Sequence, residues 1–202
     1  MRRNISKMDG RLSKGREMRE KILHATLELA GEKGISFLSA RTLSEKAGIS
    51  KANLFHHFKN MKEIKIEACL YFLTIIKPPL LELPYSDPRQ YLIDLMNEIA
   101  TFLEINSILI KGYNIICNNE GRTDIEFMKL IDKTVQSNKG VVKKRLREIM
   151  DLDENNPGTE EILFCLDIIR EGYLVYLTDS FMKEEVLKSW GVVVGIMLEK
   201  LR

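Results

Sequence analysis

A short polar segment in the first third of the chain holds the side chains whose types and spacing are best suited to chemistry. Lys51, Asn53 and His56 present an ammonium, an amide and an imidazole close together, and Ala52 between them is small. Groups of this kind suit the edges of DNA bases, since Asn pairs with adenine, Lys with guanine, and Ala contacts a thymine methyl. The sequence has no motif of the usual hydrolases, metalloproteases or nucleotide-binding enzymes, so we expect no enzyme, no metal and no cofactor.

The segment that must position these groups has the spacing of a helix-turn-helix. Ser39 is a candidate N-cap for a helix over 40–47, and Gly48 permits a sharp turn. Ser50 is a candidate N-cap for a second helix over 51–57. In such a unit the second helix enters the major groove of DNA with its N-terminal residues towards the base edges.

The second of these helices is predicted to have an apolar and a polar face. Leu54, Phe55 and Phe58 are expected to anchor the helix to the module, which leaves the polar groups outward. A plain three-helix bundle with a solvated face is the alternative that this pattern leaves open.

The charge of the chain is divided unevenly. Residues 1–65 contain 15 Lys or Arg against 7 Asp or Glu, whereas residues 66–202 contain 16 against 22. A basic first part suits a polyanion, because neutralising phosphates releases counterions and supplies affinity that is independent of base sequence. A solvated basic face is the other interpretation of the charge alone.

Helix signals run along the whole chain, and no alternating strand pattern exceeds a few residues. The sequence therefore predicts an all-α fold of about nine helices. We place them near 16–33, 40–47, 51–57, 61–76, 88–104, 107–118, 124–150, 160–178 and 182–201, with Pro78 and Pro79 ending the fourth. The predicted organisation is a flexible basic tail (1–15), a three-helix DNA-binding domain (16–60), and a helical regulatory and dimerisation domain (61–202).

Three further features argue against other classes of protein. Cys69, Cys117 and Cys165 are far apart in sequence and form no C-x-x-C pair, so we expect reduced core thiols, with a redox sensor as the alternative. Residues 151–158 resemble the start of a calcium loop but lack its glycine and its final acid. No apolar run is long enough for a membrane span or follows the basic N-terminus as in a secretory signal, so we expect a cytoplasmic protein.

Taken together, residues 19–64 resemble the N-terminal DNA-binding domain of the TetR family of transcriptional regulators. The resemblance rests on Ile22 to Leu27 followed by Gly34, on Ser39 to Leu43, on Ala47 to Ser50, and on Leu54 to Phe58. Two residues depart from the family pattern. Phe55 stands where the family usually has Tyr, and Met61 stands where it usually has Lys, with Lys62 one position later.

The resemblance implies roles for individual side chains on DNA. The groups that it places at base edges are Arg41, Lys51, Ala52, Asn53 and His56. Those that it places on phosphates are Ser39, Thr42, Ser50, His57, Lys59 and Lys62.

The rest of the chain is expected to bind an effector and a second copy. Apolar groups of the middle helices form the candidate ligand pocket: Met96, Phe102, Tyr113, Phe127, Met128 and Phe164. A surplus of apolar and small groups on the last helix forms the candidate homodimer interface: Leu187, Trp190, Gly191, Val194, Gly195 and Leu198.

In the family, a body of this kind couples a small molecule to the DNA-reading heads. The resemblance therefore implies a homodimeric repressor that leaves a pseudo-palindromic operator in double-stranded DNA when a hydrophobic or amphipathic molecule binds. Two alternatives stay open. One is a DNA-binding regulator without a small-molecule ligand, acting through a protein partner or constitutively, and the other is an interaction module that does not bind DNA.

Overall fold

The structure is a computed structural model that describes residues 3–76, 87–150 and 183–199, with helical residues at 160–161, 163–165, 167–169 and 172. Within these ranges the chain is helical apart from short connections, and no strand occurs. The all-α fold is confirmed. The predicted helix end at Pro78 and Pro79, the loop over 151–158 and the predicted helix boundaries at 178 and 182 lie outside the described residues.

Eight α-helices have bounds within the described ranges. They are α1 (Arg3–Lys33), α2 (Ala40–Ala47), α3 (Lys51–His57), α4 (Met61–Ile75), α5 (Pro88–Ile105), α6 (Ser107–Glu120), α7 (Ile125–Met150) and α8 (Lys183–Glu199). A 3-10 turn over Ile35–Phe37 connects α1 to α2. Except for the start of α1, these bounds agree with the predicted ones to within a few residues.

Helix α1 begins at Arg3 and not near Arg16 as predicted. The prediction placed the start at the first apolar stripe, and it assigned the preceding residues to a flexible tail. Those residues contain no proline. Once a packed helix exists, a polar segment extends it at little cost, because each added residue gains a hydrogen bond without a new nucleation step.

Local capping explains where the short helices begin and end. Ser39 and Thr42 form a capping box at the start of α2, each side chain accepting a hydrogen bond from the backbone N–H of the other. Gly48 ends α2 with a φ of 67°, a left-handed conformation that glycine adopts without steric cost. Helix α5 begins with Pro88 after Asp87, whose carboxylate accepts from the N–H of Arg89.

The chain forms two compact units that are not contiguous in sequence. Unit 1 consists of Met1–Thr74 and Ile108–Asp132, and unit 2 consists of Ile75–Ser107 and Lys133–Arg202. Unit 1 therefore contains the helix-turn-helix together with nearly all of α6 and the first part of α7. The predicted division into a DNA-binding domain (16–60) and a regulatory and dimerisation domain (61–202) is a division by function, and it stays a prediction.

Within unit 1, α6 crosses α1 with the two backbones in contact. A Cβ added to Gly112 would collide with the carbonyl group of Leu27, and one added to Gly31 would collide with the carbonyl group of Ile108. Both glycines are buried. The absence of side chains at these two positions is therefore what allows a helix distant in sequence to pack on the helix-turn-helix.

Unit 2 has its own core between α5 and α8. Trp190 is 1% exposed, and its indole N–H donates to the carbonyl oxygen of Leu92 at 2.8 Å. Buried groups of α5 and α8 surround it, including Tyr91, Leu95 and Val194. The chain has a single Trp, so its fluorescence reports on unit 2.

Replacing Gly112 by Ala tests the helix crossing. We expect Gly112→Ala to lower the free energy of unfolding of unit 1 by about 1–3 kcal/mol, because the added methyl group meets backbone that cannot turn aside. Gly140→Ala is the matched control, since Gly140 lies within α7 with open space around its Cβ position. There the same change should stabilise the helix by about 0.5–1 kcal/mol.

Urea unfolding followed by circular dichroism compares the two variants, and hydrogen exchange of α1 and α6 locates the effect. A stabilisation by Gly112→Ala equal to that of Gly140→Ala would show that the two helices do not meet as described.

Candidate nucleic-acid interface

Helix α3 presents one face to the core of unit 1 and the opposite face to solvent. Leu54 is fully buried and Phe58, just after the helix, is 2% exposed, so these two side chains anchor it as predicted. Lys51, Ala52 and His56 are exposed. The polar groups chosen from the sequence thus share an accessible face.

Phe55 lies on the exposed face and does not anchor the helix. The expectation that it packs inward is wrong, since its side chain is 43% exposed. Successive helical residues are about 100° apart, so residue 55 lies one turn beyond Lys51 and beside His56. Hydrophobicity suggested burial, whereas the helical period would have placed Phe55 outward.

We call this set of groups the α3 surface: Lys51, Ala52, Phe55 and His56, with half-buried Asn53 at its edge. It combines hydrogen-bonding groups with two apolar ones. An exposed phenyl ring next to polar base-reading candidates suits a thymine methyl group or a sugar.

Two serines hold the helix starts of the module. Ser50 Oγ accepts from the N–H of Asn53 at 3.1 Å, and Ser39 Oγ accepts from the N–H of Thr42 at 3.2 Å. The hydroxyl of Thr42 donates in turn to the carbonyl oxygen of Phe37 at 2.5 Å. A serine hydroxyl that accepts a capping bond still has its hydrogen to donate, so capping is compatible with the predicted phosphate contacts.

Several cations of the module have carboxylate partners. Arg41 Nε donates to Glu45 at 3.0 Å, with both side chains mostly exposed. Lys46 Nζ lies 2.9 Å from Glu32, and the hydrogen bond with that carboxylate raises the pKa of the lysine. Among the residues with described contacts, neither Lys51 nor Lys59 has an acid within ion-pair distance. Of the lysines predicted to contact DNA, these two are more available to a phosphate than Lys62, which pairs with Asp124.

Arg19 connects α1 to α3 and α4. No sequence signal pointed to this residue. Its guanidinium donates to the carbonyl oxygen of His57 and to the carboxylate of Glu67, and it lies 4.2 Å from the ring centroid of Phe58. Burial, followed by the charges of His56 and Arg19, lowers the pKa of His57. The lowered pKa favours the neutral imidazole of His57, which can still donate a hydrogen bond to a phosphate.

Helix α4 runs antiparallel to α6, and one face of α4 contacts it at regular intervals. The contacts are Lys62 with Asp124 just beyond α6 (2.7 Å), Lys65 with Glu120 (2.6 Å), Cys69 with Cys117 (3.9 Å between Sγ atoms) and Phe72 with Tyr113 (4.8 Å between ring centroids). We call this set the α4–α6 ladder. Its members recur every three or four residues, as expected for one face of a helix.

The comparison with protein-family models identifies the module. Residues 22–68 match the model of the bacterial regulatory proteins of the tetR family, a range that includes the whole helix-turn-helix. This segment belongs to the TetR family. It has the fold of a DNA-binding transcriptional regulator, and regulators of this family are generally not enzymes.

Solved structures of transcriptional regulators share the fold along most of the chain. A transcriptional regulator from Rhodococcus sp. Rha1 is 19% identical with a TM-score of 0.70, covering 90% of this chain and 96% of its own. A TetR transcription regulator from Haloarcula marismortui is 15% identical with a TM-score of 0.69, covering 90% and 96%. One from Thermus thermophilus is 20% identical with a TM-score of 0.60, covering 88% and 93%. No curated protein matches the chain.

The six candidate pocket residues are divided between the two units. Tyr113, Phe127 and Met128 belong to unit 1, whereas Met96, Phe102 and Phe164 belong to unit 2. Phe127 and Met96 are buried, but Met128 and Phe164 are 38% and 58% exposed. No single unit holds the whole set, and the pocket stays a prediction.

The candidate dimer residues of α8 also divide. Trp190, Val194 and Leu198 are buried in the core of unit 2, while the other three are half-buried: Leu187, Gly191 and Gly195. The exposed apolar groups of α8 are Val192 and Ile196, at 60% and 57% exposure. The buried residues of α8 pack inside unit 2, and the homodimer interface stays a prediction.

Neither a metal site nor a single membrane-spanning helix occurs among the described residues. They contain no cluster of three or more His, Cys, Asp or Glu that would hold a metal ion. No single described helix is long and apolar enough to cross a membrane, and one pair of helices, α5 with α6, reaches that length and hydropathy only when both are counted together.

The ion pair at the start of the ladder generates a prediction for DNA binding. Lys62 is a predicted phosphate contact, and Asp124 competes for its ammonium group. Asp124→Asn should therefore raise affinity for any DNA sequence by up to about fivefold, the range expected when an exposed ion pair is released. Asparagine keeps the cap of α7, because Asp124 Oδ1 accepts the N–H of Phe127 at 3.0 Å while Oδ2 contacts Lys62.

Fluorescence anisotropy with random duplexes at several salt concentrations measures the change. Glu126→Gln is the control, since it removes the same charge from the start of α7, where Glu126 pairs with Lys129 and not with Lys62. An equal gain in both variants, or a gain that persists after Lys62→Ala, would attribute the effect to overall charge.

Proposed function

We propose that this TetR-family chain is a homodimeric, sequence-specific repressor. Each protomer would place the α3 surface in one half-site of a pseudo-palindromic operator, and a hydrophobic or amphipathic small molecule would release the dimer. The observation that carries this proposal is the outward face of α3, where base-reading groups are exposed on a helix anchored by Leu54 and Phe58.

The composition of the α3 surface supports reading of base edges. Lys51 and His56 donate hydrogen bonds, and Asn53 both donates and accepts, so it can pair bidentately with adenine. Ala52 and Phe55 add apolar contacts that suit thymine methyl groups. A surface made only for nonspecific binding needs cations and no such mixture.

The surroundings of α3 support contacts with the phosphates of the DNA backbone. Lys59 follows the helix with an exposed ammonium group, and the hydroxyls of Ser39 and Ser50 stand at helix starts, where anions are favoured. Residues 1–65 carry the excess positive charge of the chain, so steering of DNA would favour unit 1. This location of the charge favours DNA over an interaction module that does not bind nucleic acid.

A homodimer is supported by apolar side chains that unit 2 leaves exposed. Val192 and Ile196 are one turn apart on α8, and Phe164 and Ile168 are one turn apart on the helical residues before it, all four more than half-exposed. Apolar groups arranged this way favour a partner surface. A symmetric pair would also give the two recognition helices that a two-part operator needs.

The repressor role is supported by occupancy of the operator, and the class of effector by the candidate pocket residues. A dimer on an operator occupies DNA that a polymerase would otherwise use, which favours repression. The candidate pocket residues are apolar or aromatic, which favours a lipophilic ligand over a charged one. A cytoplasmic location would follow from access to the operator.

Selection of duplexes from a random library tests the function directly. We expect enrichment of an inverted repeat by the wild-type chain, and Asn53→Ala should weaken binding to it by about 1–3 kcal/mol and relax the preference at one position per half-site. The capping bond to Ser50 comes from the backbone N–H of Asn53 and survives this change. The selected duplex then serves to screen lipophilic compounds for release.

Lys59→Ala is the matched control, because a phosphate contact should affect all sequences equally and reduce the salt dependence by about one ion. Equal losses on the selected duplex and on random DNA for both variants would contradict base reading. No enrichment at all, from a folded dimer, would contradict the operator-binding function.

The dimer surface has its own test. Ile196→Glu places a charge in the proposed interface and should convert the dimer to a monomer in sedimentation velocity, with weaker binding to the inverted repeat. Ile125→Glu is the control, since Ile125 is 72% exposed at the start of α7, where an acid is favourable. A dimer that tolerates Ile196→Glu would place the interface elsewhere.

A further inference from the structure

Two cysteines that are far apart in sequence meet inside unit 1. Cys69 of α4 and Cys117 of α6 have their Sγ atoms 3.9 Å apart. Cys69 is fully buried and Cys117 is half-buried, so a small solute can reach the second more easily than the first. The third thiol, Cys165, is exposed and belongs to unit 2.

The α4–α6 ladder keeps the two thiols side by side. On one side of the pair, Lys65 contacts Glu120 at 2.6 Å, and on the other side Phe72 packs on Tyr113 with ring centroids 4.8 Å apart. Contacts on both sides fix the register of the helices. The thiols therefore have a high effective concentration for each other, as a disulfide requires.

The surroundings of the two thiols differ in a way that gives them different roles. The hydrogen bond between the two thiols, together with the one between Cys117 and the Tyr113 hydroxyl, lowers the pKa of Cys117, against the opposing effect of burial. The same bond with Cys117, burial and the nearby carboxylate of Glu120 raise the pKa of Cys69. Burial raises the pKa of Tyr113, which keeps its phenol protonated as a donor.

We propose that Cys69 and Cys117 form a redox modification site, at which a hydroperoxide closes a disulfide that joins α4 to α6 and weakens DNA binding by the α3 surface. The disulfide itself is independent of what the chain regulates. Its effect on DNA rests on the function proposed above.

The chemistry requires one hydroperoxide for each pair of thiols. The Cys117 thiolate attacks one peroxide oxygen and the O–O bond breaks, which gives a sulfenic acid and, with hydrogen peroxide, a hydroxide that is protonated to water. The Cys69 sulfur then attacks the Cys117 sulfur, so that an S–S bond forms and the S–O bond breaks. The departing hydroxide takes the Cys69 proton and becomes water. Overall, the two thiols lose two electrons and two protons to one hydrogen peroxide, which gives one disulfide and two waters.

We expect closure of the disulfide to shift α4 against α6. An S–S bond is about 2.05 Å long, so the sulfur atoms have to approach by about 2 Å from their present separation. Helix α4 begins three residues after Phe58, and Arg19 contacts both Glu67 of α4 and the carbonyl oxygen of His57. A displacement of α4 is therefore passed to the end of α3. We expect affinity for the operator to fall at least fivefold, the lower range of coupling between sites.

The test uses the full wild-type chain, reduced and then treated with a few equivalents of hydrogen peroxide. The three cysteines fall in three tryptic peptides, one beginning at Ile66, one over 112–122 and one beginning at Glu148. Mass spectrometry without reduction should find the first two joined, and dithiothreitol should separate them. Anisotropy with the selected duplex should show the loss of affinity after peroxide and its recovery after dithiothreitol.

Variants assign the roles of the thiols. Cys165→Ser is the matched control and should keep both the cross-link and the loss of affinity. In Cys69→Ala, the Cys117 sulfenic acid should accumulate and react with dimedone, and peroxide should no longer weaken DNA binding through a disulfide. If Cys69→Ala does not fold, because Cys69 is buried, Cys117→Ala at the half-buried position should abolish the response in the same way.

The outcomes separate this proposal from the proposed function. A reduced protein that binds its duplex but forms no link between the two peptides overturns the redox site. A link that leaves affinity unchanged overturns its regulatory effect. A reduced protein that binds no duplex selectively contradicts the proposed function, while the peptide map still decides whether the disulfide forms.

Discussion

The backbone contact between α1 and α6 is the constraint on which unit 1 depends. Gly31 and Gly112 allow each helix to approach the carbonyl groups of the other, which any larger residue would prevent. Because α6 is held there, α4 can pack along it through the ladder. The helix-turn-helix therefore belongs to a unit that α6, distant in sequence, helps to hold together. Its geometry depends on more than its own three helices.

The packing of α4 against α6 also brings a carboxylate close to a lysine that is predicted to contact DNA. The start of α4 carries Lys62, which both Asp124 and a DNA phosphate attract. Lys65 is less accessible, with its partner Glu120 also mostly covered, so that pair has a structural role. Along one face of α4 the contacts thus change from an ion pair whose lysine is exposed, so that a polyanion can compete for it, to groups that are half-buried or buried.

The parts of the fold and site that could be predicted from sequence are those decided locally. Ser39, Gly48 and Ser50 were assigned correctly, because caps and turns depend on a few neighbouring residues. Phe55 was assigned to the wrong face, because hydrophobicity was preferred to the helical period. The helix crossing and the ladder could not be predicted, since they join residues far apart in sequence, such as Leu27 with Gly112 and Lys62 with Asp124.

Whether unit 1 can transmit a signal depends on Arg19. One guanidinium contacts the end of α3 through the carbonyl oxygen of His57, the apolar anchor Phe58, and Glu67 on α4. A planar group with several fixed donors holds all three in one arrangement, which a flexible lysine would not do. Any event that displaces α4 must therefore break this arrangement or move α3 with it. By linkage, DNA that holds α3 in place must resist the displacement of α4 to the same extent.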